Sequence, residues 1–400
     1  MSEAIDCVVA GHICLDITPR MYPCGSTVGE VFRPGKLINV GPPTVSTGGA
    51  VSNTGLPLRR LGMNVKLMGK CGDDMFGRAI VDCIRREAPG AEEGMQVAPG
   101  EQTSYSVVIN PPGIDRMFLH CTGANDTFLA EDIDLEVVGR CRLLHFGYPP
   151  LMARMYADGG AELARLLQRA RGTGAATSLD MALPDPAGPA GKVNWPAILA
   201  AALPHVDIFT PSVEELTFML RRRTFDQLAA RAAGGHMLEH MDGDLLCDLG
   251  NRCLEAGAAI VLIKCGHQGL YVRTAGAGRL ERMGRCKIGP GSRWVNRELL
   301  QPSYKAGRIV STTGAGDCAI AGFLAALLRR TSVEDALRYA VATGAQNVQA
   351  ADAVSGVRDW QATAAQVAAR PAVNDVTICL DGWRHDGASG QYRGPRDGQA

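Results

Sequence analysis

Residues 311–330 read STTGAGDCAIAGFLAALLRR. Ile320, Phe323, Leu324, Leu327 and Leu328 recur at i, i+3, i+4, i+7 and i+8, the spacing of one buried face of an amphipathic helix. Arg329 and Arg330 suit its C-terminal end, where the helix dipole favours cations. Just ahead lie Gly314-Ala315-Gly316 and then Asp317. The first N–H groups of a helix have no intrahelical partner and carry partial positive charge, so they form an anion site, and small residues let the anion come close. An aspartate alone there would be no more than a partner for the helix dipole. Beside an anion cradle it puts a proton acceptor next to a phosphate site, a pairing that suits phosphoryl transfer to a hydroxyl group.

Working outward, strand–helix alternation surrounds this stretch. The runs AIDCVVA (4–10), NVKLMGK (64–70), CRLLHFG (141–147), AATSLD (175–180), VDIFT (206–210) and AAIVLI (258–263) read as strands, with helical patterns from Ala50, Met75 and Leu151 and a pair of final helices. Such alternation predicts an α/β chain with a mostly parallel central sheet covered by helices on both faces. Residues 12–47 and 100–125 break the rhythm, alternating like exposed strands around Gly and Pro turns, and are expected to pair into a small β-strand lid. One domain over residues 1–370 follows, and residues 381–400, without apolar periodicity, read as a disordered tail.

With 46% hydrophobic residues in 400, the chain can bury a large core. Its 41 basic and 41 acidic residues cancel, which argues against nucleic acid or an anionic membrane as partner. The first residues lack the basic start of a secretory signal, and no apolar run approaches the ~18 residues of a membrane helix. Thirteen cysteines without a C-x-x-C pair fit reduced thiols and a cytoplasmic location.

Two other motifs compete. Gly314 to Ala319 fits G-x-G-x-x-A, but a dinucleotide site needs a strand after the helix, and here Ser332 and Asp335 cap a second helix. HMLEH, 236–240, matches a zinc-peptidase pattern if helical, yet no neighbouring segment supplies a third ligand.

Residues 48–77, GGAVSNTGLPLRRLGMNVKLMGKCGDDMFG, together with Thr312-Thr313-Gly314-Ala315-Gly316-Asp317 and GAND at 123–126, resemble the signatures of the ribokinase-like (PfkB) carbohydrate kinase family, in that family's order and spacing. The resemblance implies a three-layer α/β/α sandwich with a β lid and transfer of the γ-phosphoryl of MgATP to a hydroxyl of a sugar or related polyol. By position it makes Asp317 the general base and the amides of Gly314, Ala315 and Gly316 the anion hole. Asp16, Gly48, Gly49 and Asn53 become the acceptor side; Lys264, Gly266, Gly269, Thr312, Thr313 and Ser212 the nucleotide side; and Glu215 the magnesium ligand. Plainer readings stand beside these: Gly48-Gly49 as a turn, Asn53 as a cap, Lys264 as a solvated strand end. Ser212 stands where the family usually carries asparagine, and Ser311 where many relatives carry aspartate, so activation by a monovalent cation is not expected. Pro57 should kink the helix beginning near Ala50 or delay its start. A nucleoside kinase of the same family is the alternative, with Phe32, Tyr105 and Phe118 as candidate lid aromatics; a non-catalytic ligand-binding relative is the other. An exposed lid edge would let two copies pair.

Overall fold

The computed structural model describes residues 4–399 apart from 24, 26, 114, 115, 234 and 290. Among these, the central sheet runs, in spatial order, through Val65–Met68, Ile5–Gly11, Cys141–Gly147, Ala176–Asp180, Ile208–Phe209 and Ile260–Lys264, all parallel. It continues antiparallel through Leu270–Thr274, Glu298–Gln301, Gln391–Arg393 and Arg384–Asp386.

The parallel strands carry apolar residues on both faces, as strands covered on two sides must. Cys7, Val9 and Leu143 join one core, while Val8, Ala10 and Leu144 join the other. Helices Ala50–Arg60, Met75–Glu87, Ala315–Leu328 and Val333–Asn347 cover the first face. Helices Ala161–Gly172, Trp195–Ala202, Val213–Leu220 and Gly243–Glu255 cover the second, completing three layers. A separate sheet orders Gly41–Gly48, Cys14–Arg20, Tyr105–Ile109 and Met117–Cys121, so the two irregular stretches of sequence meet in one small sheet.

Three expectations are corrected. The stretch read as a disordered tail is ordered among its described residues, 381–399: Arg384–Asp386 and Gln391–Arg393 form a hairpin on the edge of the central sheet. It is held by polar groups, with Arg297 donating to Asp397 at 2.8 Å and the Arg396 N–H to buried Glu298 at 2.8 Å, so no apolar period marks it. The helix Ala315–Leu328 is not amphipathic; every residue from Asp317 to Leu328 is buried. It lies between helices Ala50–Arg60 and Val333–Asn347, and its small residues admit the latter closely: a Cβ at Gly322 would stand 2.3 Å from Thr343 Oγ1. The helix around Pro57 starts at Ala50 and runs on to Arg60, with the Leu61 N–H bonding the Pro57 carbonyl at 2.9 Å. Pro57 therefore does not delay its start.

Candidate active site

The parallel strands all deliver their C-terminal ends to one edge of the sheet, where the chain leaves each strand and its loops converge. From this edge come His12 after the first strand, Tyr148 after Cys141–Gly147, Asp180 at the end of Ala176–Asp180, Ser212 beyond Ile208–Phe209, and Lys264 at the end of Ile260–Lys264. Facing them is the start of helix Ala315–Leu328.

Gly314 is the cap of that helix and adopts φ +71°, and a Cβ there would meet the Ala353 carbonyl at 2.3 Å, so glycine is required. Asp317 in the first turn is 6% exposed. Tyr148 Oη donates to its Oδ1 at 2.6 Å. Burial raises the Asp317 carboxyl, against the opposing pull of the Lys264 ammonium and the Tyr148 hydrogen bond. Tyr148 holds φ +67°, a left-handed conformation that costs a bulky residue energy and that here aims its hydroxyl at Asp317.

Lys264 is no solvated strand end. Its Nζ lies 2.5 Å from Asp180 Oδ1, and a Cβ at Gly316 would come within 3.2 Å of its Cδ. Burial alone would lower the Lys264 ammonium, but Asp180, Glu215 and Asp317 outweigh it and raise it, which keeps the ion charged. Asp180 is fully buried; burial pushes its carboxyl up while Lys264 pulls it down, and its Oδ2 has no hydrogen-bond partner among the described residues. Burial first, and then the same ammonium, hold the His145 imidazole down at about 3, so it stays neutral. Asp180, Glu215 and Asp317 thus lie around one lysine, and the Asp180 oxygen left unpartnered among the described residues is of the kind a hard divalent cation takes.

Ser212 and Glu215 face each other in a capping box. The Ser212 N–H donates to Glu215 Oε2 at 2.6 Å, and the Glu215 N–H to Ser212 Oγ at 3.2 Å. The Lys264 N–H bonds the Pro211 carbonyl at 2.9 Å, which brings this box beside the lysine. Thr312 accepts from Arg116 of the small sheet's hairpin, and Thr313 receives Asn347 Nδ2 on its carbonyl at 2.9 Å. Gly266 and Gly269 shape the turn after Lys264, with φ +50° and +109°; a Cβ at Gly269 would stand 2.0 Å from the Gln301 carbonyl, so packing alone demands it.

On the other side, Asp16 is buried, and burial pushes its carboxyl up to about 6 against hydrogen bonds from Cys14 and Ser106. Gly48 lies directly over it: a Cβ would fall 2.3 Å from Asp16 Oδ2. Gly49 has φ +87° and presses on His12 in the same way, at 2.5 Å from Nδ1. Asn53, in the first turns of helix Ala50–Arg60, is buried with its Oδ1 unpartnered among the described residues. Asn125, from GAND, grips the Ile13 backbone with two hydrogen bonds of 3.2 and 2.9 Å and so fixes the His12–Cys14 segment. His12 sits 5.9 Å from the Tyr148 ring, centroid to centroid, linking this group to Asp317.

The structure therefore brings together Asp317, Gly314–Gly316, Lys264, Ser212 and Glu215 on one side and Asp16, Gly48, Gly49 and Asn53 on the other. Sequence reading missed Asp180, Tyr148 and His12. Asp180 closes the strand ATSLD, and an acidic strand end at a sheet's C-terminal edge was the available signal; the rest depend on register and on a left-handed backbone. HMLEH forms only a short 3₁₀ turn at Met237–His240 with both histidines exposed, and it is not among the potential ligand clusters of the described residues. None of the described cysteines is in a disulfide, and no described helix is long and apolar enough to cross a membrane.

Comparison with known proteins bears on the fold and the family. The chain is 22% identical over 355 residues to a ribokinase of Arabidopsis thaliana, covering 85% of this chain and 79% of that protein. It is 26% identical over 314 residues to fructokinase-1 of Oryza sativa subsp. japonica, covering 74% and 81%. The solved Arabidopsis thaliana ribokinase, complexed with ribose and ATP, superposes with a TM-score of 0.66 at 18% identity over 91% of this chain and 99% of that one. A nucleoside kinase of Methanocaldococcus jannaschii superposes with a TM-score of 0.61 at 16% identity over 92% and 99%. The sequence pattern of the pfkB family of carbohydrate kinases matches residues 5–360, nearly the whole length, and the chain belongs to that family.

Proposed function

We propose that this carbohydrate kinase transfers the γ-phosphoryl group of MgATP to a hydroxyl of a sugar or related polyol, with Asp317 as general base. One observation carries the reading: a buried carboxylate in the first turn of a helix, held by Tyr148, beside the N–H groups of a glycine-rich helix start and the Lys264 ammonium. Relatives named ribokinase and fructokinase support a sugar as acceptor.

Asp317 would accept the hydroxyl proton as the oxygen attacks. Its raised affinity for a proton suits that task, since a base works best with a pKa near the working pH. The amides of Gly314, Ala315 and Gly316 would hold the transferring phosphoryl, and the extended charge of Lys264 would stabilise its oxygens. Asp180 and Glu215 are the residues that would hold magnesium, which when bound neutralises phosphate charge. Asp16 and Asn53 would grip acceptor hydroxyls, with Gly48 and Gly49 admitting the ring. The four-stranded sheet would act as the lid, excluding water from the phosphoryl group. Its edges leave Val45, Phe118 and Leu119 exposed, where a second copy would pair. The free thiols favour a reducing, cytoplasmic setting.

The test is ATP consumption measured over a panel of sugars, polyols and nucleosides, with and without a chelator. Turnover is expected with a sugar or polyol and should cease when the divalent cation is removed. Turnover with nucleosides alone would replace the acceptor class, and undiminished turnover in excess chelator would overturn the magnesium role.

A further inference from the structure

Counting in twos from the end of the first strand, His12, Cys14 and Asp16 fall on one side of an extended chain. Across the small sheet, Asp16 stands opposite Ser106, and Ser106 opposite His120. The register thus gathers two imidazoles, a thiol and a hydroxyl next to the Asp16 carboxylate. His12 Nε2 lies 3.2 Å from His120 Nε2, Ser106 Oγ lies 3.0 Å from His120 Nδ1, and Cys14 Sγ is 3.3 Å from Asp16 Oδ1. Ligand atoms of His12, Cys14 and His120 all fall within 4.8 Å of one another, the single cluster of this kind among the described residues.

This spacing matches a soft-metal site. Two nitrogens bound to a tetrahedral zinc at 2.0–2.1 Å stand about 3.3 Å apart, close to the separation of the two Nε2 atoms. A thiolate at 2.3 Å from the same ion would lie about 3.6 Å from each nitrogen, within the 4.8 Å that spans the three ligand groups here. Ser106, on His120 Nδ1, supplies the outer hydrogen bond that fixes which ring nitrogen faces a metal. His12 and Cys14 are both buried, and His12 Nδ1 has no partner among the described residues.

We propose that His12, Cys14 and His120 bind a thiophilic divalent cation, zinc or one of its class, and that the bound ion closes the acceptor pocket. As the sulfur–metal bond forms, the Cys14 S–H proton passes to solvent, while the imidazoles donate lone pairs as neutral ligands. The ion would tie His12, at the end of the first central strand, to His120 on the edge of the small sheet, beside Asp16. Magnesium, which prefers oxygen ligands, would leave this site alone. Inhibition at the acceptor pocket rests on the kinase reading above; the metal binding itself does not.

The test uses the full, untagged chain, stripped of metal and titrated with zinc against a chromophoric chelator. One zinc per chain is expected. Cys14→Ser and His120→Ala should each weaken it by at least about 100-fold, since changes to outer-shell partners alone cost 10–100-fold, and Ser106→Ala by about 10-fold. Cobalt in place of zinc should give a thiolate charge-transfer band that disappears in Cys14→Ser and persists in Ser106→Ala. Should Cys14→Ser fail to fold, His120→Ala, the most open of the three positions, decides. No zinc uptake by the wild type, or equal affinity in wild type and His120→Ala, would overturn the proposal. Turnover is no part of this readout, so a chain that binds zinc as described but phosphorylates no acceptor would defeat only the kinase reading.

Discussion

Replacing Tyr148 with phenylalanine removes one oxygen from the centre of the site and should move the acid limb of the pH–rate profile upward. Tyr148 Oη donates to Asp317 Oδ1 at 2.6 Å, and that bond favours the charged carboxylate. Burial already raises the Asp317 carboxyl, so the folded value lies above the ordinary one before any substitution. A hydrogen bond to a charged group contributes about 1.5–3 kcal/mol, which corresponds to roughly 1–2 pKa units. Losing it raises the carboxyl further, so the base becomes protonated, and turnover is lost, at a higher pH as the pH falls. Phenylalanine keeps the ring, the volume and the strained backbone, so the fold should persist. The assay is kcat measured from about pH 5 to pH 9 for both proteins, the range where a general base titrates. An acid limb displaced upward by about one unit, with nearly equal rates on the alkaline side, is expected. Superimposed profiles would refute the role given to Tyr148, and so would an equal loss at every pH, which would mean that the hydroxyl acts on the substrate.

Asp16→Asn removes a carboxyl that burial lifts from 3.8 to about 6; the charge costs stability in full above the folded value and nothing below the unfolded one. The variant should therefore be more stable by on the order of 2–3 kcal/mol near pH 8 but not near pH 4, while binding the acceptor worse; equal gains at both would contradict it. Ending the chain at Leu380 takes Asp397 from Arg297 and the Arg396 N–H from buried Glu298, at a cost on the order of 3 kcal/mol. An unchanged urea midpoint would return residues 381–400 to the status of an appendage. Gly322→Ala drives a methyl to 2.3 Å from Thr343 Oγ1 and should cost about 1–3 kcal/mol, read as a lower melting temperature; a gain, as helix propensity alone predicts, would contradict the close helix contact.

What could be read from the chain was what is local in it. Thr312 to Asp317 is a loop and a helix start within six residues, and its anion-binding character follows from backbone chemistry alone. The parallel strands announced themselves by their apolar runs. Asp180 did not, because its partner Lys264 lies 84 residues away and only strand order brings them together. His120 and Ser106 join Asp16 through pairing register, which alternation cannot reveal between strands so far apart in sequence. The helix after Asp317 was misread as amphipathic because Ala319, Gly322 and Ala326 count for little in a hydrophobic pattern, though small size is what lets a second helix lie against them. The closing hairpin was missed for the opposite reason: its hold on the sheet is backbone pairing and charge, with few apolar residues to mark it.

The central claim, that Asp317 is the base and no mere cap, is tested most directly by Asp317→Asn, with turnover, ATP affinity and melting temperature taken on one sample. Asparagine keeps the size and can still serve the helix start, but it cannot accept the hydroxyl proton. The account predicts a fall in kcat of about 10²–10⁴-fold with ATP still bound and melting little changed. Turnover close to wild type in this variant would contradict it.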